Sequence, residues 1–342
     1  MGVNITSLIA KKPIIIEELK YKAIAIDAPL WLYQFLSSIR QRDGTLLMDK
    51  EGNVTSHLMG LFTRTSKLLQ YNIKPIYVFD GKPPELKKKE TEKRKQAKKE
   101  AETKYKIAVK EKDIEEMRKY ASRTSRLTQD MISEAKELIN AFGIPIVQAP
   151  CEGEAQASHI VKKNDAFCVA SQDFDSLMFG ATKVVRNLSV FGKRKKASQL
   201  AYTTIEPELI VLKDALNNLG INQEQLIVLG ILVGTDYNNG GVKGIGPKNA
   251  LKLVKQYKNN LDQLFQTVKW DFETQWNEIF DLIKNMPVTD DYSIKTSNIN
   301  ITRLKELLIE KHDFSKERIG SLLQKLEANA NKIKQHNLGD FF

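Results

Sequence analysis

Ala166-Phe167-Cys168-Val169-Ala170-Ser171-Gln172-Asp173-Phe174-Asp175 is the stretch on which the reading of the fold turns. Residues 166–170 make a short, β-like apolar run that stops at a pair of carboxylates. The same arrangement recurs upstream. Residues 21–26 run into Asp27, residues 75–79 run into Asp80 and Gly81, and residues 144–147 lead through Pro150 to a helix opening as Cys151-Glu152-Gly153-Glu154. Amphipathic helical stretches at 30–39, 54–70, 129–141 and 155–163 lie between these runs. This alternation predicts an α/β fold with a mostly parallel central sheet flanked by helices on both faces.

In an open parallel sheet, ligands bind beyond the carboxyl ends of the strands. Asp27, Asp80, Glu152, Glu154, Asp173 and Asp175 are therefore expected along one edge. Any one of them also suits a turn or a first helical turn. Six together repel one another and raise their pKa values unless cations neutralise them. Oxygen ligands without His or Cys favour Mg²⁺ or Mn²⁺ over zinc, and two such ions roughly 4 Å apart serve in-line phosphodiester hydrolysis. The pattern points to a metal-dependent nuclease.

Charge supports a polyanionic partner: 53 Lys and Arg stand against 42 Asp and Glu, a net +11 over 342 residues. Residues 82–112 hold thirteen of the cations and six Glu, with few apolar side chains. Such a run is helix-prone but has no stripe to dock on a core, so it reads as a solvated segment or as an arm that grips phosphates. Lys193-Arg194-Lys195-Lys196 after Gly192 reads as a hairpin tip. Apolar runs such as 227–233 fall far short of the ~20 residues of a membrane span. Cys151 and Cys168 are too few for a disulfide framework and are expected to pack as small apolar groups.

Residues 221–233 form a strongly apolar helix, followed by Gly234-Thr235-Asp236-Tyr237 and then Gly244-Ile245-Gly246-Pro247-Lys248. Glycines that let backbone approach phosphate, just before a helix start, resemble a helix-hairpin-helix that holds a duplex without reading its sequence. Asp236, just before it, is expected as a seventh carboxylate of the cluster.

These residues resemble the flap endonuclease family of structure-specific 5′ nucleases, in its shorter, archaeal-looking form, over nearly the whole chain. The most specific matches are Ile76-Tyr77-Val78-Phe79-Asp80-Gly81-Lys82-Pro83-Pro84, Ala149-Pro150-Cys151-Glu152-Gly153-Glu154-Ala155-Gln156-Ala157 and Ser171-Gln172-Asp173-Phe174-Asp175, followed by the Gly234 and Gly244 motifs. The resemblance implies a PIN-like 5′ nuclease fold with a helical arch at 82–128 and a helix-hairpin-helix at 222–256. It implies one nuclease domain over 1–332, built of an N-terminal region (1–110), an internal region (129–260) and a helical C-terminal part (261–332), then a clamp-binding tail at 333–342. It assigns Asp27, Asp80, Glu152, Glu154, Asp173, Asp175 and Asp236 to two Mg²⁺ ions, some through water, with Mn²⁺ as a substitute. Lys87 and Arg94 would contact the scissile phosphate, Tyr33 would stack on a base, and Thr55 would lie near a pocket for a one-nucleotide 3′ flap.

Gly244, Gly246 and Lys248 would hold the duplex backbone, with a K⁺ bridging the hairpin to phosphate. Gly241 stands where some relatives carry a hydroxyl, which removes one ligand of that ion. Gln335, Leu338, Phe341 and Phe342 resemble a box that binds the sliding clamp (PCNA). The implied activity is 5′ flap cleavage, with 5′–3′ exonuclease action, in replication (Okazaki fragment maturation) and repair, by a monomer in an archaeal cytoplasm, or in the nucleus of a eukaryote. Met1-Gly2 with Thr6 also fits a myristoylation pattern, but in this family the chain start lies beside the active site. The rival readings are another member of the superfamily, an exonuclease or bubble endonuclease, and a non-catalytic, clamp-tethered junction binder. His57 and His159 read as structural, and no role is legible for Trp270 and Trp276.

Overall fold

The protein is described by a computed structural model over residues 2–41, 43–111, 113–195 and 202–339. Seven strands form the central sheet: β1 (Lys12–Pro13), β2 (Ala23–Asp27), β3 (Lys74–Phe79), β4 (Ile146–Gln148), β5 (Cys168–Ala170), β6 (Lys183–Arg186) and, after a separate hairpin of β7 (Gly192–Lys195) and β8 (Tyr202–Ile205), β9 (Glu208–Val211). Their order is β1-β9-β6-β5-β2-β3-β4. The five strands β4, β3, β2, β5 and β6 are parallel, and β9 and β1 add an antiparallel edge. Asp27 pairs with Val78, and Ile26 with Ala170, so β2, β3 and β5 end level with one another. That register sends Asp27, Asp80 and Asp173 out at the same end of the sheet.

Strand alternation divides the core in two. Ile24, Ile26, Tyr77 and Phe79 face one side, while Ala25, Ile76 and Val78 face the other. The first side is closed by α1 (Ala28–Ser38) and α2 (Ser56–Gln70), with Trp31, Phe35, Leu58 and Phe62 fully covered, and by α5 (Gln129–Ala141). The second is closed by α6 (Gly153–Lys162), the short α7 (Asp175–Met178), α8 (Leu212–Leu219) and α9 (Gln223–Val233). Every residue of α9 from 226 to 232 is buried, which is why its sequence has no polar face.

The basic run becomes a 24-residue helix, α3 (Lys88–Glu111), which packs along α4 (Ile114–Ala121). Its buried residues include Ala101 and Ala108, so small side chains supply the seam that hydrophobic periodicity did not reveal. Beyond α9, a glycine-rich loop leads to α10 (Pro247–Tyr257), which starts with Gly246 as cap and Pro247 in its first turn. Helices α11 (Leu261–Thr267) and α12 (Trp276–Lys284) follow. Trp276 stacks on Phe265 at 4.4 Å and Trp270 meets it edge-on at 5.4 Å, which gives both tryptophans a packing role. The chain then passes through α13 (Ile301–Lys305) to α14 (Lys316–Gly339). Gln335 and Leu338 lie within α14, which runs unbroken across the expected boundary at 332, whereas Phe341 and Phe342 fall outside the described residues, as does Lys196 of the hairpin tip.

Candidate active site

A cleft of about 1050 Å³ opens over the carboxyl ends of the parallel strands, and all seven expected carboxylates line it. Each is placed by backbone geometry. Asp27 caps α1 by accepting the Leu30 N–H at 3.1 Å. Asp80 follows β3 and accepts the Gly153 N–H at 2.7 Å, an approach that a side chain would obstruct, since a Cβ on Gly153 would lie 2.8 Å from Asp80 Oδ1. Glu152 and Glu154 sit at the start of α6, and Glu154 Oε1 accepts from Ser171 at 2.6 Å and Ser176 at 3.1 Å. Asp173 is set by its own backbone N–H, which donates to Ser171 Oγ at 3.1 Å. Asp175 opens α7 and accepts the Val3 N–H at 2.8 Å, which ties the beginning of the chain to the cluster.

Crowding and burial dominate the electrostatics. Burial, then Asp80, push Asp27 well above the usual carboxylate range; burial, then Asp175 and Asp27, do the same to Glu154. Burial raises Asp80 and Glu152 as well, and it raises Asp175 to about 7 against the opposing Val3 hydrogen bond. Asp236 is the exception. Burial works to raise it, but Lys87 and Arg94 outweigh that effect and hold it below its ordinary value. Lys87 Nζ lies 2.6 Å from Glu152 Oε2 and 3.3 Å from Asp236 Oδ2, and Arg94 Nη2 lies 2.7 Å from Asp236 Oδ1. Burial would lower Lys87, yet Glu152, Asp236 and Asp80 together raise it, so it stays fully charged.

Lys87 and Arg94 pair with Glu152 and Asp236, which leaves the seven clustered acids short of positive charge. Hard oxygen donors in that state suit divalent cations of the Mg²⁺ class. Among the described residues no three of these side chains form a ready-made ion cage.

The comparisons with known proteins agree with this geometry. The chain matches the XPG N-terminal domain over residues 2–101 and the XPG I-region over 143–236. It is 51% identical over 342 residues to flap endonuclease 1 of Pyrococcus abyssi, covering 100% of this chain and 98% of that protein. The chain belongs to the flap endonuclease 1 family. Flap endonuclease 1 of Aeropyrum pernix is 48% identical over 330 residues, covering 95% of this chain and 94% of that one. Among solved structures, flap endonuclease-1 from Methanococcus jannaschii superposes with a TM-score of 0.76 at 42% identity, over 97% of this chain and 100% of that one. The catalytic core of Rad2 in complex with DNA substrate gives 0.68 at 25% identity, over 92% and 96%.

Within this flap endonuclease fold the remaining candidates separate. Tyr33 lines the cleft, half exposed, with Lys98 Nζ 4.9 Å from its ring centre. Thr55 does not line it: the residue is only 3% exposed at the start of α2, so it presents almost no surface to a ligand. Gly244, Gly246 and Lys248 are exposed on the α9–α10 loop, and Gly244 has a φ of +82°, which favours glycine. Gly241 is obligatory, because at φ +63° a Cβ would lie 2.2 Å from the Val233 carbonyl oxygen. A hydroxyl side chain therefore has no room there. Residues given no role from sequence also enter the site. Ser171 and Ser176 hold Glu154, Tyr237 and Gly2 line the cleft, and Glu90 and Asn239 meet at its rim. A Ser at a strand end or a Glu within a charge run carries no distinguishing pattern, so Ser171, Ser176 and Glu90 were not legible, whereas Gly2 lies where the resemblance puts the chain start.

Proposed function

We propose that the chain is a structure-specific 5′ flap endonuclease with 5′–3′ exonuclease action, hydrolysing DNA phosphodiesters at single-strand/duplex junctions in replication and repair. The observation that carries this reading is the convergence of seven carboxylates from five separate stretches of chain in one cleft, flanked by a basic helix. Asp27, Asp80, Glu152, Glu154, Asp173, Asp175 and Asp236 would hold two Mg²⁺ ions, with Mn²⁺ as a substitute. Bound ions of this kind lower the pKa of an attacking water and neutralise charge on the leaving 3′ oxygen.

The chain's own residues do the rest. Lys87 and Arg94, now engaged with Glu152 and Asp236, are placed to transfer those contacts to the scissile phosphate as it arrives. Tyr33 offers a face on which an unpaired base stacks. Helices α3 and α4 serve as an arch that admits a single strand, and the exposed backbone around Gly244 and Gly246, with Lys248, grips the duplex without base readout, aided by a K⁺ held mainly by backbone oxygens. Residues 1–332 act as one nuclease unit and 333–342 as a tethering tail for a sliding clamp, in a monomer working on branched DNA in an archaeal cytoplasm. No helix among the described residues is long and apolar enough to cross a membrane.

Flap, bubble, nicked and blunt duplexes assayed side by side with Mg²⁺ test the reading. The flap is expected to be cut fastest, and Asp173→Ala to abolish cutting while junction binding persists. Preferential bubble cutting, or normal turnover by Asp173→Ala, would overturn it.

A further inference from the structure

Glu90 is out of character with its surroundings. It belongs to a basic run whose other acids include Glu85, Glu92, Glu100 and Glu111, all exposed, yet it is only 7% exposed itself. A carboxylate is buried at that level only when it is paired. Its two oxygens are used separately. Oε1 accepts from Arg94 Nε at 2.8 Å, one helical turn further along α3, and Oε2 accepts from Asn239 Nδ2 at 2.6 Å. Asn239 stands in the loop between α9 and α10, three residues after Asp236, whose Oδ1 takes Arg94 Nη2 at 2.7 Å. Glu90 thus grips the inner nitrogen of the guanidinium while Asp236 takes an outer one, which leaves Arg94 a single orientation, facing the cleft. The same carboxylate fastens the foot of the arch to the loop that leads into the Gly244 hairpin.

We infer that Glu90 is a positioning residue for phosphodiester cleavage: it aims Arg94 at the scissile phosphate and ties that aim to the duplex-holding loop through Asn239. The inference rests on the proposed flap-cleaving function and adds a residue to it. A carboxylate only accepts hydrogen bonds, so it satisfies both donors, whereas an amide of the same shape must turn a donor toward one of them. Swapping the polarity on both partners restores the match. In Glu90→Gln with Asn239→Asp, the new amide donates to the new carboxylate, its oxygen accepts from Arg94 Nε, and net charge is unchanged.

The test is the single-turnover rate on a 5′ flap duplex with Mg²⁺, beside duplex affinity measured without divalent ion. Glu90→Gln is expected to slow cleavage roughly 10- to 30-fold, the scale of a misplaced catalytic group, with affinity within about threefold of wild type. The double variant should recover to within about threefold of the wild-type rate. In an Arg94→Ala background, Glu90→Gln should cost less than about twofold more, because a residue acting through Arg94 has nothing left to position. An undiminished Glu90→Gln rate, or a full penalty persisting without Arg94, would overturn the inference while leaving the function intact if the wild-type chain cuts the flap. Failure of the wild type to cut it would overturn both.

Discussion

Gly2 shows how tightly the acidic cluster is framed. A Cβ built on it would lie 2.6 Å from Asp173 Cβ and 2.8 Å from its Cγ, and the next residue, Val3, donates its N–H to Asp175. Gly2→Ala must therefore push Asp173 aside. The expected result is a roughly 10- to 100-fold fall in single-turnover cleavage with little change in Tm, since a shift near 1 Å in a catalytic group costs on that order. An unchanged rate would show that Asp173 tolerates the displacement. At this scale the carboxylates were readable, because each ends a strand or opens a helix and such positions face the ligand edge. Glu90 was not, because nothing in the run 82–112 distinguishes one Glu from its five fellows before the fold brings Asn239 beside it. Thr55 was assigned from resemblance alone, near a pocket for a one-nucleotide 3′ flap, and the structure shows it 3% exposed at the start of α2.

The helix pair α9–α10 is the element with the sharpest consequence. Its loop is pinned by the Val242 N–H donating to the Leu232 carbonyl at 2.9 Å and by Asn238 Nδ2 donating to the Ile231 carbonyl at 2.7 Å, while Gly244, Gly246 and Lys248 remain exposed. Rigid backbone on one side and open donors on the other suit a phosphate grip. Lys248→Ala should weaken duplex binding equally across sequences and lower the slope of log affinity against log salt by about 0.9, the signature of one lost phosphate contact. A sequence-dependent loss, or an unaltered slope, would remove Lys248 from that role. Element type was legible where periodicity was strong, as in α5, or the run was uniformly apolar, as in α9, with strand ends displaced by at most two residues. The antiparallel edge was not: β1 has two residues and β9 four, too short to show a period, and only pairing with each other and with β6 defines them.

Across the whole molecule, the cleft concentrates acids that the fold itself does not neutralise. Burial raises Asp27, Asp80, Glu152, Glu154 and Asp175, the last to about 7, and neighbouring carboxylates add to it at Asp27, Glu152, Glu154 and Asp175. A carboxylate raised on folding stabilises the folded chain fully below its unfolded pKa near 4, and that contribution disappears as pH rises through the folded value. Metal-free protein should accordingly lose stability between about pH 4 and pH 7 through these groups, with the depressed Asp236 opposing only at the acid end. A divalent ion that binds the ionised cluster should return what is lost. The measurement that bears most directly on this is the change in Tm on adding Mg²⁺, taken at pH 8 and at pH 5 on the wild type and on Asp173→Ala. At a hundredfold excess over Kd the expected rise is roughly 3–4 °C at pH 8, shrinking toward zero at pH 5 and in the variant. A rise of equal size at both pH values and in both proteins, or none at pH 8, would contradict the claim that these seven side chains form one cation-requiring centre.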